Sequence, residues 1–189
     1  MTDKEIISEV NRCISMEADA IGKLTEVLDE KAVLETAKVL QNCKGKVILS
    51  GCGTSAMAAK KIAHSLCCIE IPALFLSPAD AVHGGLGVLQ EDELVNLIPA
   101  CRTKKAKLIG VSENPDSKIA QAADIYMKVK AEREPCRFNM LATSSTLAVI
   151  STFDAICIAL MQMTGYTREQ FAVIHPGGAV GERLLNHID

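Results

Sequence analysis

A chain of 189 residues with 49% apolar but only 3% aromatic residues, no Trp and a net charge of -3 reads as one domain with a core of Ala, Val, Ile, Leu, Met and Cys. At that length it can bury roughly 70% of the surface its unfolded chain would expose, so no disulfide staple is required. The acidic balance, without any Lys/Arg block, excludes the electrostatic footprint of a nucleic-acid-binding protein.

The first segment, "MTDKEIISEVNRCISMEADAIGKL", is charged and amphipathic, whereas a signal peptide has a basic start and an unbroken apolar stretch, so the chain reads as cytoplasmic. Ile6, Ile7, Val10, Ile14, Ile21, Leu24 and Leu28 recur at helical spacing, which predicts a long amphipathic arm over residues 1–28, broken near Gly22. Such an arm exposes an apolar stripe unless it is covered, and a second copy of the chain is the expected cover, giving a dimer or tetramer. The domain proper is expected over residues 29–189. It starts with a helix at about Glu30 to Asn42, stopped by Gly45.

Two short apolar runs follow, Lys46 to Ser50 and Ile71 to Ser77, of the kind buried in parallel sheets, with the helical "AMAAKKIAHSL" between them. The alternation continues with helical "DELVNLIPACRTKK", a strand at Lys107 to Val111, helical "SKIAQAAD" and a strand at Asp124 to Val129. A long buried helix is expected from Thr143 to Thr164. Its apolar stretch, Leu147 to Met161, carries Asp154 near the middle and is short for a bilayer, so no membrane partner is expected. A turn at Pro176-Gly177-Gly178 precedes a last short helix. This order describes an α/β fold, a three-layer αβα sandwich around a parallel sheet.

Ligands of open parallel sheets bind beyond the carboxyl ends of the strands, here Ser50 to Ser55, Ser77 to His83 and Ser112 to Asn114. In "SGCGTS", Gly51 and Gly53 allow a sharp bend and close approach, Thr54 and Ser55 offer hydroxyls, and the following helix aims its free N–H groups at the same spot. That suits a phosphate; it equally suits an ordinary strand-to-helix turn capped by Thr54 or Ser55. The loop lacks the G-x-G-x-x-G of a dinucleotide site.

In "REPCRFNMLATSST", Glu134 lies on a Pro-bounded turn ahead of Thr143, Ser144 and Ser145, which head the long helix. Those hydroxyls read either as helix caps or as ligand groups, and Glu134 as either solvated or aimed at a substrate. His83 and His175 each stand beside a glycine-rich turn, in "DAVHGGLG" and "VIHPGGAVG"; His64 and His187 read as packing or surface residues. Two such histidines with a carboxylate supply acid-base capacity near neutral pH. Eight cysteines form no C-x-x-C pair and read as reduced core thiols, and no local ligand spacing points to a metal.

Five separated stretches, "SGCGTSAMAAKKIAHSL", "SPADAVHGGLGVL", "LIGVSENPDSKIAQAAD", "EPCRFNMLATSSTLAVISTFDAICIAL" and "FAVIHPGGAVGERLL", together resemble the sugar isomerase (SIS) domain of the D-arabinose 5-phosphate isomerase family. The resemblance implies a five-stranded parallel sheet, a sugar-phosphate ligand and no cofactor. It also implies aldose-ketose interconversion through an enediol, with Glu134 as the carboxylate and His83 and His175 as candidates for acid-base work or ring opening. Beside it, Gly51, Gly53, Thr54 and Ser55 together with Thr143, Ser144 and Ser145 are the expected substrate- and phosphate-binding residues. Similar proteins are usually tetramers that share site residues between subunits.

Two departures from the family pattern stand out. Thr54 occupies a position where these isomerases commonly carry lysine, and one apolar strand with its Ser/Gly-rich loop is missing between Glu91 and Asp92. The absence fits a deletion in a remodelled or inactive member, an altered chain, or a sequence that lacks residues of the natural one. Two functions therefore compete: a sugar-phosphate isomerase, and a non-catalytic SIS domain that binds a sugar phosphate as a sensor or regulatory subunit.

Overall fold

Why the first helix begins where it does is clear from its first turn. In the computed structural model, which describes residues 1–82, 85 and 98–185, Thr2 Oγ1 accepts the N–H of Glu5 while Glu5 Oε2 accepts the N–H of Thr2. This reciprocal cap opens α1, Asp3–Gly22, and the expected break falls at Lys23, before the single turn α2, Leu24–Val27. α1 buries none of its residues fully. It lies along the long helix described below, with Ile7 (60% exposed) and Ile14 (58%) facing outward.

Asp29 caps α3, Glu30–Gln41, by accepting the Ala32 N–H at 2.9 Å. Then come β1, Val47–Leu49; α4, Thr54–Cys67; β2, Ala73–Phe75; and α5, Pro78–Val82. After a stretch outside the described residues the chain continues through α6, Ile98–Lys104; β3, Ile109–Ser112; α7, Lys118–Ala122; and β4, Ile125–Lys128. α8, Ser144–Thr164, ends at Gly165 in the left-handed conformation that glycine adopts freely. α9, Arg168–Ile174, and α10, Gly178–Leu185, finish the described chain. Each strand is shorter than its apolar run, because only three or four residues of the run pair with a neighbour.

Side chains alternate across the strands and divide the core in two. Val47 of β1 packs with Leu40, Ile62, Leu66, Met127, Phe153 and Leu160 beneath α3, α4 and α8. Ile48 points the other way, to Leu76, Ala81, Cys101 and Leu108 beneath α5, α6 and α7. Full burial of residues such as Leu66 and Leu160 contributes about 1.5–3 kcal/mol each. The three-layer αβα arrangement is as the apolar pattern predicts.

α8 is long and apolar enough by length and composition to cross a bilayer. It packs against α1, α3 and α4 instead, and Asp154 at its middle pairs with Lys61 of α4.

The sheet, however, is divided. β1 pairs with β2 and β3 with β4, both parallel, with Val47 opposite Ala73 and Ile109 opposite Ile125, and among the described residues no strand joins the two halves. The N–H of Val47 donates to the Pro72 carbonyl and the N–H of Leu76 to the Leu49 carbonyl, both at 2.8 Å, so Val47 and Leu49 turn their backbone groups toward β2 and Ile48 turns its own away. In the other half, the carbonyls of Leu108 and Ser112 accept from Asp124 and Val129, which leaves the N–H and C=O of Ile109 and Val111 facing away from β4. A backbone group buried without a partner costs about 1–3 kcal/mol, so this split is energetically significant. Both His83 and the Glu91-Asp92 junction lie outside the described residues.

Candidate functional site

The carboxyl ends of the four strands among the described residues open on one cavity of about 930 Å³. Gly51, Thr54 and Ser55 after β1, Pro78 after β2, Ser112 and Glu113 of β3 and its following turn, and Lys130 to Glu134 after β4 all line it, as does Ser145 from α8. The cavity continues inward between the half-sheets, past Val47, Ile48, Ile109 and Val111.

The loop after β1 is shaped by two glycines. Gly53 has φ +57° and ψ -130°, a conformation that side chains rarely tolerate, and a Cβ on Gly51 would come within 3.0 Å of the Ser55 backbone. Gly53 is the N-cap of α4 and has no side chain to cap it, so neither Thr54 nor Ser55 serves as the cap. The positive end of the 14-residue α4 thus opens beside the cavity. Gly53 itself faces a neighbouring pocket of about 350 Å³, bordered by Lys60, whose ammonium sits 5.1 Å from the centre of the Phe75 ring. Lys60, on the same helix as Thr54, is a cation the sequence pattern did not single out.

Glu134 is the most constrained group of the site. Its Oε2 accepts the N–H of Thr143 at 2.9 Å and of Ser144 at 2.8 Å, and its Oε1 accepts the N–H of Ser145 at 3.2 Å. The carboxylate therefore caps α8, where Thr143 makes no side-chain cap. Burial alone would raise its pKa; the Ser145 hydroxyl and the N–H groups of Thr143, Ser145 and Ser144 outweigh that and hold it below the usual carboxylate range. Its own N–H donates to Asn139 Oδ1 at 2.7 Å, which folds the loop back on itself. Two contacts from the N-terminal arm brace the same segment: Arg12 Nη2 donates to the Pro135 carbonyl at 2.7 Å, and Lys23 Nζ lies 2.9 Å from Glu132.

The three residues expected to bind phosphate at α8 thus spend their N–H groups on Glu134. Ser144 is completely buried, which removes its hydroxyl from reach of a ligand in the cavity. His175 does not line the cavity; its ring stacks on Phe171 with centroids 4.0 Å apart, and Nδ1 lies 3.0 Å from the Phe171 carbonyl. Among the described residues, no three His, Cys, Asp or Glu gather where they could share a metal ion.

A known family matches most of the chain. The SIS domain profile covers residues 40–159. The chain belongs to the SIS domain family. It is 34% identical to the arabinose 5-phosphate isomerase KdsD of Pseudomonas aeruginosa over 98% of this chain and 60% of that protein. It is also 34% identical to the arabinose 5-phosphate isomerase GutQ of Salmonella typhi over 97% of this chain and 61% of that protein. The SIS chain therefore spans about 60% of the length of these curated relatives.

Among solved structures, a Listeria monocytogenes protein described as a sugar-phosphate isomerase superposes with a TM-score of 0.92 at 50% identity, covering 94% of this chain and all of that one. The E. coli CFT073 protein c3406, solved as a ligand complex, superposes at 0.86 with 24% identity over 93% of this chain and all of that one, which speaks for the fold. The alignment with KdsD spans 198 positions but uses 98% of 189 residues, about 185, so about 13 positions have no residue here.

Proposed function

We propose that this SIS domain is a sugar-phosphate isomerase that interconverts an aldose phosphate and a ketose phosphate, with D-arabinose 5-phosphate and D-ribulose 5-phosphate as the pair to test first. The observation that carries the reading is a single cavity joining the Gly51–Ser55 loop at a helix N-terminus with an ionised, rigidly held Glu134. Resemblance to arabinose 5-phosphate isomerases over nearly the whole chain supports the substrate class.

In this reading the phosphate is held by the N–H groups opening α4, the Thr54 and Ser55 hydroxyls, and the cations Lys130 and Arg133 on the cavity wall. Glu134 removes the proton on the carbon beside the carbonyl and returns it to the neighbouring carbon, so an enediol connects the two sugars. Its low pKa keeps it ionised at neutral pH but makes it a weak base, so release of one of its N–H bonds as substrate enters would strengthen it. His83 and His175 are assigned ring opening or proton shuttling between the oxygens; for His175, which stands apart from the cavity here, the role requires supply from a neighbouring subunit. The assembly proposed is a homo-oligomer, a dimer or tetramer.

One observation favours the second reading, a sugar-phosphate-binding domain without turnover: every oxygen of Glu134 is already committed to capping α8. An isomerisation assay with both pentose phosphates, run beside Glu134→Gln, separates the two. The enzyme reading expects turnover that falls about 10²–10⁴-fold in the variant. Turnover that survives unchanged removes Glu134 from the mechanism. Absence of turnover, with a Tm that rises when sugar phosphate is added, establishes the binding domain.

A further inference from the structure

The cavity wall that carries Glu134 is built by Glu134 itself with Asn139, Met140, Ala142, Ser145 and Thr146. Three of these side chains, those of Asn139, Ser145 and Thr146, can donate a hydrogen bond. The Ser145 hydroxyl donates to the Glu134 carboxylate, and the Thr146 hydroxyl to the Ala142 carbonyl at 3.4 Å. The N–H groups of Thr143, Ser144 and Ser145 are spent on the same carboxylate. The Asn139 carboxamide is the side-chain donor that remains on this wall, because among the described residues its Nδ2 meets no acceptor.

The other half of that carboxamide fixes its orientation. Asn139 Oδ1 accepts the N–H of Glu134 at 2.7 Å, and since a backbone N–H can only donate, the oxygen belongs on that side and the Nδ2 group on the other. The backbone beneath is held as well: Asn139 stands at φ +55°, and its own N–H donates to the Cys136 carbonyl at 2.9 Å. Cys136 Sγ accepts the next two N–H groups, from Met140 at 3.3 Å and Leu141 at 3.2 Å. Glycine takes up a left-handed conformation without strain and asparagine does not, so the strain here is offset by what the asparagine side chain does.

We infer that Asn139 is a ligand-contacting residue of this site: with Oδ1 locked on the Glu134 N–H, its Nδ2 donates to an oxygen of the sugar portion of the ligand. The inference rests on the sugar-phosphate reading of the cavity. The charge of a phosphate is met by the opening N–H groups of α4 and by Lys130 and Arg133, whereas the uncharged oxygens of a sugar call for neutral partners. An ionised Glu134 can only accept, so a sugar oxygen beside it must take its hydrogen bond from another group. Asn139 supplies that donor from a residue tied to Glu134 by one hydrogen bond, which couples the contact with the ligand to the position of the carboxylate.

The test titrates the isotope-labelled full chain with arabinose 5-phosphate and with inorganic phosphate, which lacks the sugar, and follows both by NMR. The Asn139 side-chain NH2 pair is assigned by its loss in Asn139→Asp. Arabinose 5-phosphate is expected to shift that pair, and inorganic phosphate to shift the Thr54 and Ser55 amides while leaving the pair in place. Asn139→Gly suits the left-handed backbone, and Asn139→Asp keeps an acceptor for the Glu134 N–H; both lose the Nδ2 donors. Each should therefore raise the Kd for arabinose 5-phosphate about tenfold more than the Kd for inorganic phosphate. The charge that Asp adds acts on both ligands and cancels in this comparison. Equal losses for the two ligands, or a loss in Asn139→Gly alone, would reduce Asn139 to a brace of the loop and overturn the inference. An NH2 pair unmoved at saturating sugar phosphate would overturn it too. A natural chain that binds no arabinose 5-phosphate is a different result: it refutes the sugar-phosphate reading itself, and the inference with it.

Discussion

Glu134 Oε2 accepts the backbone N–H of Ser144 at 2.8 Å, so a residue ten positions upstream of a 21-residue helix supplies the negative charge at its start. The bond is charge-assisted and lies at the positive end of the helix dipole. Glu134→Gln keeps the shape and removes the charge, and should cost about 1–2 kcal/mol after allowance for partial exposure, a fall in Tm of roughly 2–8 °C. Chemical denaturation at pH 7 checks it; an unchanged midpoint would show that the cap carries no stability.

The same carboxylate makes a pH prediction. Its pKa is lower folded than unfolded, so its contribution is complete well above the ordinary value of 4.5 and is lost as pH falls from there through the folded value. Stability of the natural chain should therefore drop more steeply than that of Glu134→Gln below about pH 4.5, and the two curves should converge in acid. Parallel curves from about pH 6 to about pH 3 would contradict the lowered pKa.

Gly53 offers a test of the candidate phosphate loop. At φ +57° and ψ -130°, any side chain strains the backbone even though nothing lies within 4 Å of a Cβ there. Gly53→Ala should cost about 1–3 kcal/mol, all of it as backbone strain. Because the loop must hold its shape to present the α4 N–H groups, the same variant should weaken sugar-phosphate binding tenfold or more in calorimetry. Binding at full strength would move the ligand away from this loop.

Much of this arrangement is legible in the sequence, for identifiable reasons. Continuous apolar runs at 46–50 and 107–111 mark strands buried on both faces, and the Gly-x-Gly turn ahead of an alanine-rich segment marks the β1-to-α4 loop. The cap on α8 was not legible, because the sequence puts Thr143, Ser144 and Ser145 at the helix start while the group that satisfies their N–H donors comes from across a loop. α9 carried a signal that goes beyond the apolar pattern: Thr167 and Gln170 form a reciprocal cap at the Ser/Thr-x-x-Glu/Gln spacing. Lys60 escaped notice because its position beside Phe75 depends on how α4 sits on β2.

The apolar face of α1 makes a prediction about assembly. Ile7, Val10 and Ile14 follow one another at helical spacing and stand 60%, 48% and 58% exposed, a stripe that water penalises unless another surface covers it. The natural chain should run as a dimer or tetramer in light scattering, and Ile7→Glu with Ile14→Glu should shift it toward monomer without loss of helix content. Braces from Arg12 to Pro135 and from Lys23 to Glu132 tie this arm to the Glu134 loop, so the monomer should also show faster hydrogen exchange at residues 132–142. A monomeric natural chain would mean that the stripe has no such cover.

Cysteine chemistry tests the site without assuming turnover. Cys52 lies exposed in the loop between Gly51 and Gly53 and lines the cavity, whereas Cys157 is buried in α8. Burial first, and the charge of Asp154 second, push the Cys157 thiol up to about 11, so it holds almost no thiolate at about pH 8. Alkylation by iodoacetamide at that pH, followed by mass spectrometry, should label Cys52 and the exposed Cys67 within minutes and Cys157 only on unfolding. Adding arabinose 5-phosphate should slow Cys52 several-fold and leave Cys67, at the far end of α4, unchanged as the internal reference. Equal rates at Cys52 with and without the sugar phosphate would place the ligand outside the Gly51–Ser55 loop, and a parallel slowing at Cys67 would show general tightening of the fold instead of occupancy.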